Sequence, residues 1–246
     1  MADAGRVRRE AEPAFVLHSY PFRETSLIIE VFTRNHGRVA LVARGARRPR
    51  SALRGVLLAF QPLLLGWGGK AELRTLHKAE WQGGLPQLKG RGLLCGFYLN
   101  ELVLKLLARD DAHETLFATY HATLNTLSNG GDHAITLRRF EQQLLKEAGY
   151  ALMLDRDAAS GEMIRADRDY HYLIERGPVE CAAGSGGHDE NRLELAGQTL
   201  LDMARDDYSS PVTLQQSKAL MRTLINHCLG NQTLNTRQLL KDLQQL

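Results

Sequence analysis

At Gly83-Gly84-Leu85-Pro86 the chain changes its period, and this break constrains the fold more than any other feature. Before it, apolar residues alternate in short runs bounded by turn residues, the pattern of half-buried strands. After it they recur at helical spacing. Five strands are expected, at Pro13–Ser19, Glu24–Thr33, Arg38–Arg44, Val56–Trp67 and Ala71–Trp81. Asn35-His36-Gly37 and Gly68-Gly69 supply turns, and Pro62 marks an irregularity or an edge. Five short antiparallel strands in about 70 residues suit a small closed barrel, and the oligonucleotide-binding (OB) barrel is the first expectation. An SH3-like barrel is the competing one.

Beyond the break, Leu93–Arg109, Glu114–Leu127 and a segment from Asp132 to Ala148 read as helices, with Gly149 placed to end the third. Residues 150–191 are poorly periodic. Tyr170–Ile174 and Val179–Ala182 flank a Gly-Pro turn and read as a hairpin, and Gly184–Gly187 reads as a loop. Leu193–Arg205 is expected to be helical. Ser210-Pro211 is an N-cap followed by Pro at the first helical position, and a last short helix is expected at Thr236–Leu243. The fold class is therefore α+β, a five-stranded β-barrel followed by an α-helical domain with a small hairpin and loop insertion.

Charge divides along the same line. Residues 1–80 hold 14 Lys+Arg against 7 Asp+Glu, and the remainder 17 against 21, although the whole chain is only +3. Between residues 34 and 54 stand Arg34, Arg38, Arg44, Arg47, Arg48, Arg50 and Arg54 with no acid. Guanidinium forks suit phosphate oxygens, and a loop lets several converge on one backbone. Lys70, Arg74 and Lys78 alternate so as to share one face of the fifth strand. Together these cations point to nucleic acid. Tyr20 and Phe22 flank Pro21 and are the candidates to stack on bases, whereas Phe15, Phe32 and Phe60 sit inside apolar runs and read as core.

Catalytic signatures do not stand out. Gly66–Lys70 lacks the hydroxyl residue of a phosphate-binding loop, and His113-Glu114 lacks the second His of a zinc protease motif. No metal site and no cofactor are expected. Cys95, Cys181 and Cys228 are dispersed and odd in number, which fits a reducing cytoplasm. The longest uncharged stretch, Gly55–Gly69, is too short to span a membrane. In the helical part, Arg138 and Arg139 interrupt the face of Leu137, Phe140 and Leu144. Two Arg beside an apolar groove can receive an acidic, apolar peptide with a terminal carboxylate, although composition alone favours a solvated flank. Two rival classes remain: an interaction scaffold whose basic loop binds an acidic protein, and a metal-dependent nuclease using Asp155, Asp157, Asp167 and Asp169.

The run AFVLHSYPFRETSLIIEVFTRNHGRVALVARGARRPRS, followed by LLAFQPLLLGWGGKAELRTLHKAE, resembles the N-terminal domain of the bacterial recombinational repair family RecO. LLCGFYLNELVLKLL and LRRFEQQLLKEAGY resemble its helical domain. The resemblance is specific over about residues 13–150. It implies a variable extension over 1–12, an OB-fold DNA-binding domain over 13–82 and a helical domain over 87–246. It further implies a non-enzymatic, cytoplasmic and nucleoid-associated protein that binds single- and double-stranded DNA and anneals complementary strands. With RecR it would help load RecA onto DNA coated by single-strand-binding protein, docking on that protein's acidic C-terminal tail. The LRRF segment matches the family's pocket region and makes Arg138 the stronger of the two candidates. Some members carry a four-Cys zinc module; here only Cys181 lies between residues 150 and 200, so the module cannot be built.

Overall fold

The structure is a computed structural model that describes residues 8–181, 193–236 and 238. Two compact units are present: Met1–His133 together with Leu234–Leu246, and Ala134–Thr233. The strand-to-helix change at 83–86 thus falls inside the first unit. The expected loop at 184–187, and most of the expected last helix, lie outside the described residues.

In the first unit, β1 (Arg8–Phe22), β2 (Ser26–Thr33), β3 (Gly37–Ala43), β4 (Leu63–Gly68) and β5 (Leu73–Trp81) close a barrel in the order β1-β2-β3-β5-β4. The closing pair is parallel, Ala40↔Leu73 to Val42↔Thr75, and not antiparallel as expected. Order and closure are those of an OB-like barrel. Period-two alternation sends Val16, Ile29, Val31, Val39, Leu41, Leu65 and Trp67 inward to one core. Phe15 and Phe32 point the other way yet are 1% and 0% exposed. Their rings meet Phe117 and Tyr120 of helix α3 (Glu114–Ser128) at 5.5 and 5.9 Å between centroids. That second buried face explains why Leu27, Ile28, Ile29, Val31 and Phe32 put apolar residues on both faces of the strand.

β1 starts at Arg8, earlier than its apolar run suggests, because it serves two neighbours: Arg8–Ala14 pair with β4 and Ala14–Phe22 with β2. β4 is shorter than expected. Residues 53–56 form a helical turn, α1 (Leu53–Val56), Phe60 takes φ +66, and Pro62, which has no N–H to give, stands just before the strand.

A bulge at Leu17 frees its carbonyl from the ladder, and Asn100 of α2 (Gly90–Leu106) takes it up through Nδ2 at 2.8 Å. The other end of the same amide accepts from the Tyr120 hydroxyl. The next residue, Glu101, accepts from the backbone N–H groups of Asn235 and Thr236 at 2.7 and 2.9 Å, from the Thr236 hydroxyl at 2.7 Å and from Lys105 at 2.9 Å. Burial disfavours its charge, but these donors outweigh that and hold the carboxyl below the usual carboxylate range. A depressed native pKa contributes stability above the unfolded value that is lost as pH falls through the native one. Glu101→Gln is therefore expected to cost about 1–2 kcal/mol at neutral pH. In urea titrations the gap to the parent protein should close below about pH 4; a gap constant with pH would contradict the ionised clasp.

The second unit holds α4 (His133–Glu147), a three-stranded sheet of β6 (Asp169–Leu173), β7 (Gly177–Glu180) and β8 (Leu193–Ala196) in the order β7-β6-β8, α5 (Gly197–Ala204) and α6 (Pro211–Leu229). Gly149, at φ +87, ends α4 as its sequence position suggests, with Tyr150 N–H returning to the Leu145 carbonyl at 2.8 Å. Ser210 caps α6. β6 (Asp169–Leu173) and β7 (Gly177–Glu180) form the hairpin, but its turn is Ile174–Arg176, and Gly177-Pro178 already belongs to β7. Leu193–Ala196 is strand β8 on β6 and not the start of a helix. The helix begins at Gly197, where a Cβ would lie 1.9 Å from the Arg165 carbonyl oxygen.

Candidate nucleic-acid interface

The loop after β3 is built on a buried anchor. Ala46 is fully buried in the barrel core, while Arg44, Arg47, Arg48, Arg50 and Arg54 around it are exposed. Successive turns fix the path: Arg48 N–H donates to the Gly45 carbonyl at 3.1 Å and Ser51 N–H to that of Arg48 at 3.0 Å. Arg47 N–H reaches the Thr25 carbonyl in the β1–β2 turn at 2.8 Å, and its guanidinium reaches the Arg23 carbonyl at 3.2 Å. The β1–β2 turn is thereby tied to the loop and adds Arg23, a cation that sequence reading passed over because only folding brings it there. Arg23 sits over the ring of half-buried Phe22, 5.2 Å from its centroid. Tyr20 is 47% exposed and its ring lies 4.4 Å from that of His18 between centroids, tilted by 59°. Among the described residues, none of the five loop guanidiniums is paired with a carboxylate.

Elsewhere the expected basic track is corrected. Arg38 is not a free cation: its guanidinium donates to the Leu104 and Leu107 carbonyls at the end of α2 and faces Glu30 at 3.8 Å. Burial lowers its pKa, and Glu30 opposes that shift. Arg74 pairs with Asp110 at 2.7 Å. A register shift opposite Gly66 and Trp67 admits an extra residue into β5, so Leu76 and Ala79 both pack on the core. The alternation that would align Arg74 with Lys78 is broken there, and Lys78 pairs with Glu80 at 2.8 Å. Lys70 stays exposed, in the turn before β5. What remains is a compact cationic loop.

The second unit carries a different polar feature. Arg138 is buried and donates to Glu141 at 2.6 Å, while its Nε has no partner. The buried Tyr208 hydroxyl, from the segment after α5, also has none. Burial first, and then Asp206, pushes that hydroxyl up to about 12. Arg139 is 54% exposed in its side chain and pairs with Asp206 at 2.9 Å. Two of the four carboxylates weighed for a nuclease are engaged locally: Asp157 accepts from the N–H groups of Ala159, Ser160 and Glu180, and Asp167 pairs with Arg165. Among the described residues no group of three or more His, Cys, Asp or Glu is placed to hold a metal ion, and no helix is long and apolar enough to cross a membrane.

Two family models match in tandem: recombination protein O N terminal over residues 8–84, and recombination protein O C terminal over residues 88–238. Similar curated proteins include the DNA repair protein RecO of Nitrosospira multiformis, 61% identical over 97% of this chain and 98% of that protein. That of Aromatoleum aromaticum is 56% identical over 97% and 98%, and that of Ralstonia nicotianae 56% identical over 97% and 86%. Strand order, helical second part and matches across nearly the whole length agree, and the chain belongs to the RecO family of DNA repair and recombination proteins.

Proposed function

We propose that the chain is a non-enzymatic recombination mediator that binds single- and double-stranded DNA and anneals complementary strands on its cationic loop. The observation that carries this reading is five exposed guanidiniums on one anchored loop of an OB-like barrel, unpaired with carboxylates. Two strands held on one cationic surface repel each other less and meet at higher local concentration, so no side chain need take part in bond chemistry. With RecR, the same protein would help RecA replace single-strand-binding protein on gapped DNA of the nucleoid. In this scheme residues 13–82 bind DNA and residues 87–246 recruit.

Recruitment is assigned to Arg138 and Arg139. A buried Arg with an unused Nε beside a buried hydroxyl without a partner suits an incoming carboxylate, because each such group costs free energy until it is met. Exposed Arg139 would meet the acidic residues of a tail. The test is annealing of complementary oligonucleotides coated with single-strand-binding protein, with and without its acidic tail. Removing the tail, or Arg138→Ala in the mediator, should slow annealing of coated strands about tenfold or more. Naked-strand annealing should not change. No affinity for plain oligonucleotides near physiological salt would favour a scaffold that binds an acidic protein.

A further inference from the structure

Beside the cationic loop lies a pocket of about 360 Å³ lined by Leu27, Ala46, Arg47, Leu53, Arg54 and Leu57. Apolar side chains set its floor, although more polar than apolar surface is exposed within it. Leu27 comes from the start of β2, Ala46 is the buried anchor of the loop, and Leu53 and Leu57 are half-buried against the barrel core. Arg47 and Arg54 stand at the rim, exposed, and no carboxylate is among the lining residues. The walls are held: Arg47 N–H by the Thr25 carbonyl at 2.8 Å, and Leu57 N–H by that of Leu53 at 2.9 Å.

We infer that this pocket takes one unstacked base of single-stranded DNA, the flat apolar base against Leu27, Leu53 and Leu57 and its flanking phosphates on Arg47 and Arg54. The inference rests on the DNA-binding reading above and names what the cationic loop selects. The charge argues for a nucleic acid over a singly charged amphiphile, since exposed Arg44, Arg48 and Arg50 belong to the same loop and add cations that a repeating polyanion can meet. The volume lies near the lower end of small-molecule pockets, roughly 300–1,000 Å³, so one nucleotide fits where a run of side chains does not. Apart from the two rim guanidiniums, the lining side chains offer no hydrogen-bonding group, so any base is accepted. A base inside a duplex cannot enter without leaving its stack, so the pocket distinguishes strand states by a means that phosphate contacts lack.

Two strands of equal length and charge test this on the full chain: an oligothymidine, and the same backbone with abasic sites throughout. The parent protein should bind the oligothymidine about fivefold or more tightly. Leu53→Gln with Leu57→Gln makes the floor polar without altering charge. It should abolish that preference and leave duplex affinity unchanged, whereas Tyr20→Ala should retain at least part of it. If the parent protein binds both strands equally, the pocket is overturned while the DNA-binding reading stands, whether or not the double variant folds. A folded double variant that keeps the full preference also overturns it. If neither strand binds near physiological salt, the DNA-binding reading fails and the pocket with it.

Discussion

Replacing Arg44, Arg47 and Arg48 together by Ala is expected to weaken binding of single-stranded DNA by about 10–100-fold at moderate salt, evenly across sequences. Each phosphate neutralised on a single strand contributes about −0.7 to the slope of log K against log salt. A parent protein using about five contacts should show a slope near −3.5, and the triple variant one near −1.4. The three side chains are exposed, and the backbone turns that shape the loop do not depend on their charge. Among the described residues, the only side-chain hydrogen bond given up is that of Arg47 to the Arg23 carbonyl. Thermal stability should therefore shift little, within about 0.5 kcal/mol per site. Fluorescence anisotropy over a salt series reads affinity and slope together. An unaltered slope in a folded variant would move the DNA surface elsewhere on the molecule.

Asn100→Ala should have the largest effect on stability, about 2–4 kcal/mol. Asn100 is 2% exposed, and its amide serves two groups. Nδ2 meets the Leu17 carbonyl that the β1 bulge turns out of the ladder, and Oδ1 meets the Tyr120 hydroxyl under the barrel's outer aromatic layer. The substitution takes the Asn100 partner away from a carbonyl and a hydroxyl at once. Tyr120→Phe in the same background removes one of them, so the double variant should lose less than the two single losses combined. Urea unfolding of the four proteins decides this. Additive losses would show that the amide does not couple bulge and helix.

Strands β1 to β3, the Ser210-Pro211 cap and the glycine end of α4 were legible because each depends on residues a few positions apart. The cationic loop was legible for the same reason, since seven Arg without an acid is a local fact. What escaped depends on distant partners. Nothing within residues 34–54 shows that Arg38 is consumed by carbonyls at 104 and 107, nor within β5 that Arg74 meets Asp110. The bulge in β5 leaves no trace in an alternating text, and it alone separates Arg74 from Lys78. β8 is four residues long and continues directly into a helix, so its apolar spacing reads as helical throughout. Arg23 and Tyr208 join their clusters only through turns that carry no chemical signature of their own.

The clasp at Glu101 has a consequence for how the protein is made. Its donors at Asn235 and Thr236 follow the entire second unit, Ala134–Thr233, in the chain. A ribosome adding about 5–20 residues per second therefore leaves the barrel's own unit unfinished for roughly 5–20 s after its helices have emerged. Through that interval Glu101 holds only Lys105 of its eventual partners. The part of the chain made first is completed last, and a nascent chain that stalls inside the second unit never latches the first.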